Sequence, residues 1–305
     1  MLNSGVAPLA GSLWIIFTVL AAAGQTLRNA MQKELTVTLG TVGATHIRFL
    51  FGLPFGLMFL LVIMAVTGKA PPPLNPQMLA WTVLGAVAQI GATALLLATM
   101  RERSFVITTA YTKTELIQVA LFGLVFLGDN LTLGLLATIL VSTCGVLLMS
   151  WPKGTGGQAL SWHPALLGIA SGALLALATV AYRGGIRALN SENFVLNAST
   201  TLVVGLLIQT ALLTIYLFLG KRENLVAILR AWRPSLFAGF MGAFASQFWF
   251  LAFAIETAAK VRTLALIELL FAQLLTQRVF KQSVSTREAL GIGLIVAGVI
   301  LLLNQ

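Results

Sequence analysis

The sequence predicts an all-α membrane protein with ten transmembrane helices, arranged as two inverted five-helix repeats. Of its 305 residues, 58% are hydrophobic and only 9% are charged, whereas about a quarter of residues are charged in soluble domains. The apolar residues form ten runs, each close to the roughly 20 residues that cross a bilayer as a helix. Much of the pattern in residues 111–148 also recurs near the C-terminus, without a gap.

The predicted spans are separated by short polar or glycine- and proline-rich segments. They cover residues 13–32, 43–65, 77–99, 105–127, 132–150, 164–188, 196–219, 234–254, 262–280 and 286–303. We expect segments such as 67–73 and 221–224 to be turns. The most polar break, 152–161, divides the chain into repeats at 1–152 and 162–305. Five spans per repeat is an odd number, so the second repeat enters the membrane from the opposite side.

The duplication is clearest for one pair of carboxylates. Glu268 follows Glu115 by 153 positions, and the same shift places Gly298 on Gly145. The earlier spans match more weakly, at the pairs Arg28 and Arg183, Gly52 and Gly205, and Gly85 and Gly242. A carboxylate inside an apolar helix costs about 3 kcal/mol on insertion scales, so its recurrence in both halves suggests a shared use.

Charge and cysteine content exclude several classes of protein. The net charge is +10, but most basic residues lie in short segments between apolar runs, as in membrane proteins, so we expect no nucleic-acid partner. The single cysteine, Cys144, cannot form an intrachain disulfide and is predicted to be a small core residue. Two histidines cannot supply a His/Cys metal cluster, and we expect no cofactor. The first apolar run is too long for a cleaved signal peptide and is predicted to be a retained helix.

Polar residues of the first span form a stripe. Gln25, Arg28, Asn29 and Gln32 follow the spacing i, i+3, i+4, i+7 of one helix face. The stripe either lines a hydrated cavity, with Arg28 offered to an anionic or carboxylate-bearing solute, or makes only hydrogen bonds between helices. His46 and Arg48 lie near an end of the second span, where snorkelling explains them more simply.

The fourth span carries Tyr111, Glu115 and Gln118 on one face. We hypothesise that Glu115 binds and releases a proton during transport. The alternative is a structural ion pair with Arg28, Arg48 or Lys113. Glu268 has apolar neighbours in sequence, so any partner must come from another helix.

Further candidate contacts with a substrate lie in the sixth and eighth spans. Tyr182 and Arg183 correspond to the stripe of the first span, and Gln247 and Trp249 could supply a hydrogen bond and an aromatic wall. The fifth and tenth spans carry no interior charge and are expected to be supporting or subunit-contact helices.

The order of these features resembles the EamA-type branch of the drug/metabolite transporter superfamily. The resemblance rests on two five-helix halves, a carboxylate-bearing helix in each, and the Leu-Gly-acid-x-Leu-Thr break at 127–132. It implies an inner (plasma) membrane carrier that works by alternating access as a monomer or homodimer, with its cavity between spans 1–4 and 6–9. Two features depart from the family. Proline often follows the carboxylates, where this chain has Leu116 and Leu269, and the Gly-acid pair of the break is lost in the second half.

Orientation is left open. Basic residues are more numerous in the loops opposite the two termini, so the positive-inside rule places the termini outside the cytoplasm. The resemblance implies the opposite orientation.

The leading hypothesis is a secondary transporter that exports small polar metabolites such as amino acids, either proton-coupled or driven by the gradient of the solute. The alternative is a flippase for a lipid carrier or another amphiphile, with the same fold. An enzyme is not expected, because the sequence contains no recognisable catalytic motif such as GxSxG.

Overall fold

A computed structural model describes residues 7–102, 111–149, 162–220, 222–271 and 286–304, and no strand occurs among them. The described helices are α1 (Ala7–Leu50), α2 (Gly52–Thr67), α3 (Pro76–Glu102), α4 (Glu115–Leu127), α5 (Leu133–Met149), α6 (Trp162–Ala188), α7 (Phe194–Gly220), α8 (Arg222–Arg230), α9 (Trp232–Ile255), α10 (Ala258–Leu264) and α11 (Thr286–Leu303). The chain is therefore all-helical over these residues, as predicted.

Among the described residues, six segments are long and apolar enough to cross a membrane. They are Val42–Thr67, Pro76–Thr99, Ala165–Ala188, Phe194–Gly220, Ser235–Ile255 and Thr286–Leu303. Two shorter apolar helices, Glu115–Leu127 and Leu133–Leu148, lie between the second and third of these. The chain is thus a multi-pass membrane protein, and the predicted number of ten spans stays a prediction.

Local backbone chemistry explains two of the helix breaks. Gly40 has φ 67° and ψ 178° and interrupts α1, a conformation that glycine adopts at no steric cost. Gly128 ends α4 with φ 66°, and Thr132 accepts a hydrogen bond at Oγ1 from the backbone N–H of Leu135, 3.1 Å away, at the start of α5. The Gly and Thr of the break at 127–132 therefore act as the C-cap of one helix and the N-cap of the next.

The helices divide into two compact units. The first unit contains residues 1–87 and 181–256, and the second contains residues 88–180 and 257–305. Each unit thus combines segments from both halves of the sequence.

Glycines and aromatic rings hold the first unit together. Between α1 and α9, a Cβ added at Gly24 would lie 3.0 Å from the Phe244 ring, and the rings of Phe17 and Phe248 are 5.9 Å apart. A Cβ added at Gly56 on α2 would lie 2.8 Å from Leu206 on α7. Such close approach is how helices pack where apolar burial alone gives little driving force.

In the second unit, α5 and α11 meet at the two matched glycines. A Cβ at Gly145 would lie 2.9 Å from the backbone N of Ile295, and a Cβ at Gly298 would overlap the side chain of Ser142. The 153-residue shift carries Gly145 to Gly298 and Ser142 to Ile295. The contact of Gly145 with Ile295 in one repeat order therefore corresponds to the contact of Gly298 with Ser142 in the other.

Three details of the sequence-based prediction are wrong. Cys144 is exposed on α5 rather than buried in the core, because both faces of a lipid-embedded helix are apolar and hydropathy does not distinguish them. Residues 222–224 belong to helix α8 rather than to a turn. Residues 33–39, predicted as a loop, continue α1 up to Gly40.

Candidate functional site

The stripe of the first span lies in the first unit, where two of its four residues are buried. Arg28 is 5% exposed and Gln32 is 8% exposed, while Asn29 is exposed. Arg28 donates from Nη2 to Asn29 Oδ1 at 2.8 Å. Gln25 accepts a hydrogen bond from Trp249 Nε1 at 3.1 Å, and Gln32 donates to the carbonyl of Ala44 at 3.0 Å. The two glutamines thus hydrogen-bond to other segments of the unit, as in the structural alternative.

Two arginine side chains converge on Gly242 of α9. A Cβ there would lie 3.3 Å from Arg48 Cγ and 3.5 Å from Arg28 Cδ. Glycine at this position therefore lets the stems of both arginines pack against the α9 backbone. The neighbouring His46 is fully buried and its Nε2 lies 3.1 Å from Thr214 Oγ1, so the prediction that it snorkels to an interface is wrong.

Tyr182 and Arg183 are also buried in the first unit. The Tyr182 ring lies 4.7 Å from that of Phe250, and Cβ atoms built at Gly85 and Gly205 would lie 3.0 and 3.1 Å from it. Gly85 of the third span and Gly205 of the seventh span therefore make room for this ring. Arg183 Nε donates to the carbonyl of Glu256 at 2.9 Å.

Gln247 and Trp249 lie two residues apart on α9. Gln247 Nε2 donates to Ser199 Oγ at 2.8 Å, and its buried Oε1 has no hydrogen-bond partner among the described residues. Trp249 stacks on Phe253, with ring centroids 6.1 Å apart. The amide oxygen and the indole thus give α9 one polar and one aromatic group in the interior of the unit.

Both predicted carboxylates lie in the second unit, and each forms an ion pair. Arg262 Nη2 lies 3.0 Å from Glu115 Oε1, and Lys113 Nζ pairs with Glu268 Oε1. All four residues are at most 9% exposed. Each pair joins an acid from one half of the sequence to a base from the other half, and the four charges sum to zero.

The helix backbone is broken beside each carboxylate. Residues 113–114 and 265–266 are turns between helical segments. The backbone N–H of Leu116 bonds to the carbonyl of Lys113, and that of Leu269 bonds to the carbonyl of Leu266, both from i to i−3. These two bonds correspond under the 153-residue shift. Tight turns of this 3₁₀ type inside a helix often mark a hinge, and here they form without the proline that is frequent in the family.

Two glycines of α6 hold the first break. A Cβ at Gly172 would lie 2.8 Å from the carbonyl oxygen of Thr112 and 3.3 Å from the backbone N of Glu115, and a Cβ at Gly168 would overlap Tyr111. Tyr111 therefore packs directly against the α6 backbone, because Gly168 has no side chain to block it. Gln118 Oε1 is buried in the same unit, with no hydrogen-bond partner among the described residues.

Sequence reasoning missed the base paired with Glu115. Arg262 stands at the predicted start of a span, where a basic residue is expected to face the membrane surface, whereas it lies inside α10 and is 6% exposed. Its partner is 147 positions away in the sequence, so no local pattern could have identified it. Lys113 was considered as a partner for Glu115, but it pairs with Glu268. The expectation that the partner of Glu268 comes from another helix is confirmed.

The long apolar helices indicate a polytopic membrane protein, and comparison with known proteins gives a match to one family. Residues 162–304 match the EamA-like transporter family. This family is part of the drug/metabolite transporter superfamily, and the match over these residues indicates a membrane transporter of that type. The resemblance inferred from the sequence is confirmed.

Two further comparisons bear on the fold and on relatives. One solved structure, described only as the crystal structure of a protein, is similar with a TM-score of 0.70 at 16% identity, over 96% of this chain and 98% of that chain. At this identity the similarity shows the fold alone. No curated protein matches the sequence.

Proposed function

We propose that this protein is a secondary transporter of the plasma membrane that exports small polar metabolites such as amino acids by alternating access. In this proposal the chain consists of two inverted five-helix repeats and works as a monomer or homodimer. The exchange of the Gly145 and Gly298 contacts under one sequence shift supports the duplication.

One observation carries the proposal: two buried ion pairs, each joining the two halves of the sequence, stand at two helix breaks. A buried ion pair is weak evidence for stability, since an apolar pair of similar size is often at least as stable. Buried charges at membrane depth more often belong to a pathway for a solute or an ion.

The charge pattern favours a zwitterionic solute. An amino acid carries one carboxylate and one ammonium group, and the second unit offers equal numbers of buried bases and acids. In the first unit, the converging stems of Arg28 and Arg48 favour a carboxylate group. The candidate contacts in the two units are Gln25, Arg28, Asn29, Tyr182, Arg183, Gln247 and Trp249 in the first, and Tyr111, Glu115, Gln118 and Glu268 in the second.

Proton coupling is a second element of the proposal. A carboxylate that gains a proton loses its attraction for the paired base, so protonation of Glu115 or Glu268 would release an ion pair beside a helix break. Release of this kind could link proton movement to a change in the helix break.

The test combines ligand discovery with transport. A thermal-stability screen of purified protein against a metabolite library should show a raised melting temperature with amino acids, because a ligand of the folded state stabilises it by mass action. Labelled hits should then enter or leave proteoliposomes in a saturable way, and an imposed pH gradient should change the rate. A screen in which only lipid-linked amphiphiles stabilise the protein would instead indicate the flippase.

A further inference from the structure

Helix α8 lies at a boundary between lipid and water. It connects α7 to α9, and each of these contains a segment long and apolar enough to cross a membrane. A short helix between two consecutive spans has to lie near the surface of the bilayer, because a nine-residue helix is too short to cross it.

The two faces of α8 have different surroundings. Ile228 is fully buried in a cluster with Leu35, Ile47 and Leu217, so this face is attached to the first unit. On the opposite face, Leu229 has 61% of its surface exposed. Arg222, Val226 and Arg230 are also exposed and follow one another at i, i+4, i+8, which places them on one stripe. Apolar and basic residues on one outward face are typical of helices that lie in a membrane interface.

Three arginines surround this outward face. Arg222, Arg230 and Arg233 are all exposed, and Glu223 is the only acidic residue in 222–233. The Arg222 guanidinium lies 4.3 Å from the Phe218 ring centroid, and that of Arg233 lies 5.4 Å from the exposed Trp232 ring. Arginine and tryptophan together at the end of a span are a common anchor at the head-group level.

A groove runs beside the arginines. Its volume is about 600 Å³, and it is lined by Glu223, Val226, Ala227, Arg230 and Ala231. We propose that this surface binds an anionic phospholipid, with the phosphate on Arg230 at the groove, an acyl chain lying along Val226, Ala227 and Ala231, and Arg222 and Arg233 adding positive charge on either side. Arginine binds phosphate through paired N–H groups, so the charge and the shape of this surface both fit such a lipid.

A second copy of the chain would fit the surface less well. A symmetric dimer brings the same patch of both subunits together. Three arginines and one glutamate on each side would then face each other, and like charges in contact are unfavourable.

Lipid binding to purified protein tests the proposal independently of transport. Native mass spectrometry would measure the apparent affinities for phosphatidylglycerol and phosphatidylcholine with identical acyl chains. We expect the wild type to prefer phosphatidylglycerol, and R222Q/R230Q/R233Q to lose the preference. Each arginine near a membrane surface contributes roughly fivefold in affinity, so the three together give about a hundredfold at low salt.

Two comparison variants separate charge from folding. K69Q/R187Q/R287Q removes three exposed basic residues elsewhere and should keep the preference, and R222K/R230K/R233K should retain most of it. If the glutamine variant does not fold, two other measurements test the proposal. The wild type should lose its preference for phosphatidylglycerol at high salt, and the lysine variant should keep most of that preference at low salt. Three results would overturn the proposal: no preference in the wild type, an unchanged preference in the glutamine variant, or conversion from dimer to monomer in that variant.

Discussion

At the scale of single residues, the most informative feature is the pairing of Lys113 with Glu268 and of Arg262 with Glu115. Each residue is nearly inaccessible, so each charge depends on its partner. Removing one member of a buried pair leaves the other charge without compensation, which costs about 3–5 kcal/mol, whereas replacing both members by apolar residues is often neutral.

This asymmetry gives a prediction for the Lys113–Glu268 pair. We expect Lys113→Met alone and Glu268→Leu alone each to destabilise the protein by about 3–5 kcal/mol, and the double variant K113M/E268L to regain most of the loss. Melting temperatures of the purified proteins in one detergent would measure this. A double variant less stable than either single variant would show that the two side chains do not act as a pair.

The sequence identified the two carboxylates but not their pairing. A charged residue in an apolar run is visible without any structure, and the duplication marked Glu115 and Glu268 together. Which base pairs with which carboxylate depends on how helices far apart in the sequence pack together. From the sequence, Lys113 was therefore considered as a partner of Glu115, and Arg262 was not considered as a partner of either carboxylate. For the same reason, hydropathy could not tell that Cys144 is exposed and His46 buried.

At the scale of helices, the break at 113–114 is held by the glycines of α6. The backbone of Thr112 approaches Gly172 so closely that an added methyl group would lie 2.8 Å from a carbonyl oxygen. A backbone atom cannot move aside as the end of a flexible side chain can.

We therefore predict that Gly172→Ala destabilises the protein by about 1–3 kcal/mol, the usual cost of overpacking, and slows transport by displacing the break. Gly293→Ala is the matched control, because nothing lies within 4 Å of a Cβ at that position of α11. Alanine is the better helix former, so the control should be neutral or slightly stabilising. Equal melting temperatures and equal flux for the two variants would contradict this account of the break.

Helices were predicted well where they are apolar and poorly where they are polar. The cores of α3, α6, α7, α9 and α11 follow from hydropathy alone, because a long apolar run has few alternatives in a bilayer. The segment 33–39 and helix α8 contain charged residues, and a helix at the membrane surface has the composition of a loop. Helix α8 was therefore mistaken for a turn.

At the scale of the whole chain, the number of membrane crossings is the main prediction that follows from the duplication. In the part of the chain that the structure describes, six helices are long enough to span the membrane, and α4 and α5 are shorter. If both shorter helices cross, the exposed residues Lys69, Asn130 and Asn190 lie on one side of the membrane and Glu223 lies on the other.

Single cysteines at these four positions, in a Cys144→Ala background, would test this with a reagent that does not cross membranes. We expect Lys69→Cys, Asn130→Cys and Asn190→Cys to be labelled from the same side, and Glu223→Cys from the opposite side. Labelling of Asn130→Cys together with Glu223→Cys would mean that α4 and α5 do not cross, and the ten-span arrangement would be wrong.

The most direct test of the central claim is counterflow in proteoliposomes with K113M/E268L beside the wild type. Vesicles loaded with an unlabelled amino acid that stabilises the protein should accumulate the labelled form transiently and saturably through the wild type. The double variant should be folded and nearly inactive, because the buried charges serve transport rather than stability. Undiminished counterflow in that variant, or no counterflow of any amino acid in the wild type, would contradict the account.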